Sequence, residues 1–310
     1  MPLTRRREFL FLYTVKDANP NGDPLNENHP RFDEDTMQAM ASDVRIKRTV
    51  RDELMRRGYH VFIDAEPKSL RSRFEELKQA LGNEDPKEIM RACIDVRLFG
   101  VTFALEKTQK VKVAFSWVGP VQFKWARSLH AATFDFVQGT SAFATEDRDK
   151  KEDKQQRSFR NEYKVPFALM SVYGIANQYA ANETGATDED VDIMLDALWS
   201  GTDNLITRSK NEHKARLLLE VIYKEGFSSK IAALDEKVRL CSADGNPLTT
   251  DEEKAIRSLS QVVVDISPLV DAILGKGEDI ELVKLIYDHE LRLKGEDNLR
   301  DFGKLSLETR

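Results

Sequence analysis

The chain has 310 residues, a formal net charge of −6 and an ordinary apolar share, enough for a large core in one large domain or two small ones. A globally acidic protein offers nucleic acid no attractive long-range field, so such a partner must meet a local basic patch. Cys93 and Cys241 stand in no CxxC pair, which excludes a disulfide scaffold or a thiolate zinc site and suits a reducing cytoplasm; no apolar run is long enough to span a bilayer.

The opening MPLTRRREFLFLYTV puts basic residues before a short apolar stretch. Lys16 and Asp17 then follow where a signal peptide would carry small residues, so residues 9–15 read as a buried first strand. Residues 16–31 are rich in Pro and Asn and form a long polar loop. The loop starts like a calcium loop, with Asp17, Asn19, Asn21 and Gly22 at its first, third, fifth and sixth positions. Against that reading, Asn28 replaces the bidentate Glu of the twelfth position, Pro20 stands at the fourth, and a strand precedes the loop where a helix is needed. The residues suit a turn, whose N–H groups and amides are able to line a phosphate.

Residues 35–57 read as a helix: Ile46, Val50 and Leu54 recur every fourth residue, and Gly58 closes it. Its stretch SDVRIKRTVRDELMRR gathers Arg45, Lys47, Arg48, Arg51, Arg56 and Arg57, with Lys47 and Arg51 beside the apolar arc. Two readings stand. These cations snorkel to water or pair with Asp43 and Asp52, or they meet passing phosphates, helped by the Ser42 hydroxyl. Residues 60–92 read as a charged insertion, with helices over 70–81 and from Pro86. Residues 94–105 and 111–125 read as strands, with a bend at Gly119-Pro120. Residues 137–162 are polar and highly charged, and composition alone favours a disordered or solvated hairpin. A strand or short helix follows at 165–172, then a helix at 188–199 capped by Thr187, a strand at 217–223 and a mainly helical stretch over 251–292. The core order is strand, helix, strand, strand, helix, strand, the ferredoxin-like arrangement of RNA-recognition modules.

Several stretches, taken in order, resemble one family. NPNGDP, PRFD, SDVRIKRTVRDEL, DVRLFGVTF, VGPVQF, EYKVPFALMSVYG and DALWSGTDNLITRSKNEHKARLLLEVIYKEG are similar to the Cas-seven family, the backbone subunits of type I CRISPR Cascade complexes. Subtype I-B is the best likeness and I-C a near relative. The resemblance implies an α+β fold: a ferredoxin-like (RRM-like) palm in residues 1–59, 94–133 and 163–250, a helical finger insertion in 60–93, a thumb β-hairpin insertion in 134–162, and a helical region in 251–310. It implies a cytoplasmic, non-enzymatic subunit without cofactor or metal. Such a subunit polymerises along guide crRNA, holds its sugar-phosphate backbone and presents bases to target DNA, beside copies of itself and Cas-five, Cas-eight and small-subunit proteins.

The RNA contacts expected on this basis are Asn19, Asn21, Gly22 and Arg31 near the first loop; Ser42, Arg45, Lys47, Arg48 and Arg51 on the first helix; Gln122 and Arg127 around VGPVQF; and Arg208, Lys210, Lys214 and Arg216 after the second helix. In the thumb, Phe143, Arg148, Arg157, Phe159 and Arg160 are expected to touch nucleic acid or a neighbouring subunit, the two Phe as wedges. The chain lacks an RNP-type aromatic motif, which argues against base stacking on an open sheet. Relatives in type III complexes cut RNA with a first-loop aspartate. Asp17, Asp23, Asp33 and Asp35 therefore keep a metal-dependent RNase as the alternative. The five histidines are scattered and offer no acid–base pair.

Overall fold

A computed structural model describes residues 2–66, 68–106, 112–140 and 159–310. Strand β1 (Arg7–Ala18) leads to a small hairpin of β2 (Gly22–Asp23) and β3 (His29–Pro30), a strand β4 (Gln38–Ala41) and helix α1 (Asp43–Arg56). Next come α2 (Leu70–Leu81), α3 (Pro86–Ala92), α4 (Ile94–Phe99) and a hairpin of β5 (Gly100–Glu106) with β6 (Lys112–Val118). Strands β7 (Val121–Phe123), β8 (Ala126–Ala131), β9 (Asp135–Thr140) and the long β10 (Phe159–Ala176) follow, then α5 (Gln178–Thr184), α6 (Asp188–Asp203) and β11 (His213–Tyr223). The remainder is β12 (Arg239–Ser242), α7 (Thr250–Ala255), β13 (Val262–Asp265), α8 (Ser267–Leu274), β14 (Ile280–Tyr287), β15 (Leu293–Lys294), α9 (Asp297–Arg300) and β16 (Leu305–Thr309).

The main sheet runs β16-β14-β11-β1-β10-β8-β4, and β7 and β9 also pair with β10. β1 is central and antiparallel to both neighbours, and its apolar run is continuous instead of alternating because both of its faces are buried. Its odd residues Phe9, Phe11, Tyr13 and Val15 join the core under α1 and α6. Its even residues Leu10 and Leu12 join a second core with Val264, Leu269 and Ile273 from the C-terminal region. Both faces of the sheet around β1 are therefore covered. The buried Glu8 carboxylate helps to fasten that cover, accepting from the Ile231 and Ala232 N–H groups at 2.7 and 2.8 Å and from the Tyr173 hydroxyl at 2.6 Å. A third cluster, with Phe62, Phe74, Ile89, Met90 and Phe103, gives residues 62–103 a core of their own.

Gly174 lies opposite Phe9 in the β1–β10 register, and a Cβ there would stand 1.9 Å from the Phe9 ring. That ring is fully buried against Phe123 and has nowhere to go. Gly174→Ala is expected to lower the urea midpoint at unchanged slope, with a loss of about 3 kcal/mol.

Local signals hold where a cap states the boundary. α2 starts at the Ser69 cap and ends at Gly82 in the left-handed region; α6 starts at a Thr187–Asp190 capping box. Three expectations are corrected. The first helix starts at Ser42, not near 35, because residues 38–41 pair with β8 and bury Ala39 and Ala41. Residues 94–99 are helix, not strand, with Ile94, Val96 and Leu98 packed inward; short apolar runs fit either state, and Gly100 at φ +80° ends the turn. Residues 251–292 are mixed, because the β-branched runs of β13 and β14 take strand partners.

Candidate nucleic-acid interface

Segments distant in sequence meet where β1 ends. Asn19 is stitched on both sides: its main-chain N–H donates to the Ser209 carbonyl at 2.8 Å and its Nδ2 donates to the Asn28 carbonyl at 2.7 Å. Gly22 stands at this crossing, where a Cβ would come within 2.9 Å of the Asn28 carbonyl oxygen. Asn21 Oδ1 accepts from the Ser42 N–H at 2.9 Å and from its hydroxyl at 3.1 Å, which ties the first loop to the start of α1. The Ser42 hydroxyl in turn accepts from the Arg45 N–H at 3.3 Å, so it acts as a helix cap. From the loop after α6, Lys210 Nζ donates to the Asn19 carbonyl at 2.8 Å. Asn19, Asn21, Gly22, Arg45, Ser209 and Lys210, with Tyr163 of β10, line a cleft of about 400 Å³.

Charge sets this cleft apart. Every other cation of α1 and its C-terminal cap has a carboxylate: Lys47 with Asp43 at 3.1 Å, Arg48 with Asp52, Arg51 with Asp95 at 2.8 Å, and Arg56 and Arg57 with Glu53 at 2.6 and 2.7 Å. Among the described residues neither Arg45 nor Lys210 pairs with a carboxylate. Burial lowers the Arg45 pKa; burial first, and Arg45 second, brings Lys210 down to about 8. His213, stacked on Tyr13 at 6.0 Å, is pushed down to about 3 by burial and by the same two cations, so it stays neutral. Among the described residues, Arg45 Nε and Asn19 Oδ1 here have no partner, nor do the ring nitrogens of His213 behind them. Two desolvated cations and the unmatched Arg45 Nε donor mark a place for an anion, in a cleft that the Glu27 and Glu162 carboxylates also line.

The family model of CRISPR-associated protein Cas7 matches residues 5–267. The chain belongs to the Cas7 family. A curated relative, CRISPR-associated protein Cas7 of Haloferax volcanii, is 28% identical over 97% of this chain and 92% of its own length. Two solved structures share the fold: a chain of a "CRISPR RNA-guided surveillance complex", with TM-score 0.52 and 16% identity over 98% of this chain and 94% of its own, and a chain of a "CRISPR RNA-guided surveillance complex, pre-nicking", with TM-score 0.52 and 15% identity over 95% and 97%.

In this Cas7-family chain the cations expected to form one track part company. Arg51 is only 7% exposed and is spent on Asp95, and Lys47 is spent on Asp43; both lie over the Phe99 ring, on the α4 side of α1. Arg208 reaches Glu162 at the rim of the cleft, so it stays beside Lys210. Lys214 and Arg216 sit on β11 instead, paired with Asp288 and Glu290 in a second cleft with Thr14, Lys16 and Ser258. Arg31 pairs with Asp23 and Arg127 with Asp33. Gln122 pairs with Ile175, at the far end of β10 from Tyr163, and its Nε2 donates to the Gly119 carbonyl at 2.9 Å. Phe143, Arg148 and Arg157 fall outside the described residues, and Phe159 and Arg160 are described only as backbone of β10 facing Thr140 and Gly139.

Three of the four first-loop aspartates are also engaged, and the fourth, Asp35, is exposed. Asp17 holds Lys164 at 3.0 Å, Asp23 holds Arg31 at 3.0 Å, and Asp33 holds Arg127 at 2.6 Å. Arg127, with the Thr36 N–H, keeps Asp33 down at about 2. Asn19 Nδ2 and Asn21 Oδ1 are spent on the hairpin and the helix cap and Asp17 on Lys164, so the calcium-loop likeness resolves as turn chemistry. Reading the sequence missed Ser209, Tyr163 and His213, because only tertiary pairing brings them to the first loop.

Proposed function

We propose that this chain is a backbone subunit of a Cascade-type, RNA-guided surveillance complex and that the cleft holds guide RNA by its sugar-phosphate backbone. The observation that carries this is the pair Arg45 and Lys210: cations without a carboxylate, desolvated, in a cleft with hydrogen-bonding groups. Sheet β11-β1-β10-β8 with α1 and α6 is read as the ferredoxin-like palm, residues 60–93 as fingers and 134–162 as thumb. Copies along one guide would present bases to target DNA, with Cas-five, Cas-eight and small-subunit partners, in a system most like subtype I-B. Covered sheet faces support backbone holding over base stacking on an open sheet. The pairing of Asp17, Asp23 and Asp33, which leaves only Asp35 of the four without a cation among the described residues, favours binding over metal-dependent cleavage.

The test is RNA retention against salt and pH. Log affinity should fall linearly with log salt. It should be flat up to about pH 8 and decline above it, because free Lys210 loses its proton there and only the charged form attracts phosphate. RNA incubated with Mg²⁺ should stay intact. Absence of RNA binding at low salt, or binding indifferent to salt, defeats the reading.

A further inference from the structure

We propose that the cleft selects RNA over DNA through Asn19, whose Oδ1 accepts a hydrogen bond from a ribose 2′-hydroxyl while Arg45 and Lys210 take the neighbouring phosphate. The proposal rests on the backbone-binding reading above and narrows it. Asn19 is 5% exposed, and its Oδ1 has no hydrogen-bond partner among the described residues. The amide orientation is fixed by its surroundings. Nδ2 donates to the Asn28 carbonyl at 2.7 Å, and the reverse orientation would set two acceptors face to face. The unmatched atom is therefore an acceptor, and it needs a donor.

A phosphodiester offers only acceptors, so the group that satisfies Arg45 and Lys210 leaves Asn19 Oδ1 unmatched. A ribonucleotide carries the missing donor next to its phosphate, and a deoxyribonucleotide does not. The two functions are close enough to serve one nucleotide, since Lys210 Nζ lies 2.8 Å from the carbonyl oxygen of Asn19 itself. Asn19 Oδ1 is itself closed to solvent, so a small opening of the first loop must accompany its bond to the hydroxyl, while Nδ2 keeps the Asn28 carbonyl.

Fluorescence anisotropy with oligouridine, oligodeoxyuridine and 2′-fluoro oligouridine of one length tests this on the wild-type protein. Oligouridine should bind roughly five- to tenfold more tightly than the other two, the worth of one net hydrogen bond. The 2′-fluoro chain keeps an RNA-like shape without the donor, so its binding at the oligouridine level overturns the assignment. Equal binding of all three also overturns it while leaving the backbone-binding reading in place; no binding of any overturns both. Asn19→Ala should abolish the difference between oligouridine and oligodeoxyuridine, costing oligouridine roughly five- to tenfold more than it costs oligodeoxyuridine. A loss of both in parallel counts against the assignment, and the wild-type series decides whether or not that variant keeps its loop.

Discussion

Replacing Arg45 with Gln and Lys210 with Met together should weaken RNA binding by about a hundredfold or more, since charge-assisted hydrogen bonds contribute about 1.5–3 kcal/mol each. The same double variant should be more stable than the wild type. In the free protein both cations are desolvated and neither is paired with a carboxylate among the described residues, Asp52 offsetting only part of the cost for Arg45, so their removal should return about 1 kcal/mol and raise the melting temperature by about 2 °C. The pH dependence carries the same sign. The Lys210 pKa is lower in the folded chain than in the unfolded one, so the fold disfavours its proton. That penalty is fully present below pH 8 and is relieved as pH rises from about 8 towards the ordinary lysine value. Wild-type stability should therefore climb over the pH range in which its RNA affinity falls, and the double variant should show neither slope. Binding unchanged, with stability lost, would make the two residues structural and remove the cleft from consideration. The opposition of the two readouts is useful because ordinary destabilisation cannot imitate it.

How far the sequence could be read follows from the range of each interaction. Ser69, Gly82 and Thr187 announce helix ends because a cap is settled within a few residues. The Lys47–Asp43 pair is legible for the same reason, being one helical turn apart. Asp95, which claims Arg51, lies 44 positions further on, in a segment whose apolar run suggests a strand, and no helical wheel reveals it. Arg45 and Lys47 look equivalent in the sequence, yet two residues apart on a helix they face nearly opposite ways, one to the cleft and one to Phe99. Lys210 and Lys214 look like one cluster as well. β11 begins between them, and strand pairing opposite Thr14 carries Lys214 to Asp288 while Lys210 stays with Asn19. The C-terminal region misled for a related reason: β13 and β14 are strands because they have partners, and partners are the part of a strand that its own residues do not show.

Asp95→Ala is the second large effect expected, and here stability should fall. Asp95 is 1% exposed and accepts from Arg51 Nε at 2.8 Å and from the Phe62 and Ile63 N–H groups at 2.7 and 3.2 Å. Its removal leaves a guanidinium stranded above Phe99 and two main-chain donors without partners, at a cost of about 3–5 kcal/mol. Chemical denaturation should show the loss as an earlier midpoint. Arg51→Met combined with Asp95→Asn separates the two contributions: the charge is gone from both sides, and the Asn oxygen still accepts from the Phe62 N–H, leaving only the longer Ile63 bond without its acceptor. Recovery of more than half the lost stability would assign most of the cost to the unpaired cation; no recovery would assign it to the junction at residues 62 and 63. The double variant also tests Arg51 as an RNA contact without an unfolding artefact. Six residues along α1 from Arg45, Arg51 points away from the cleft, so RNA affinity should stay within about twofold of the wild type. A tenfold loss of RNA binding in a stably folded double variant would mean that the RNA path crosses the α4 side of α1, and the Asn19–Arg45–Lys210 cleft would no longer be its main seat.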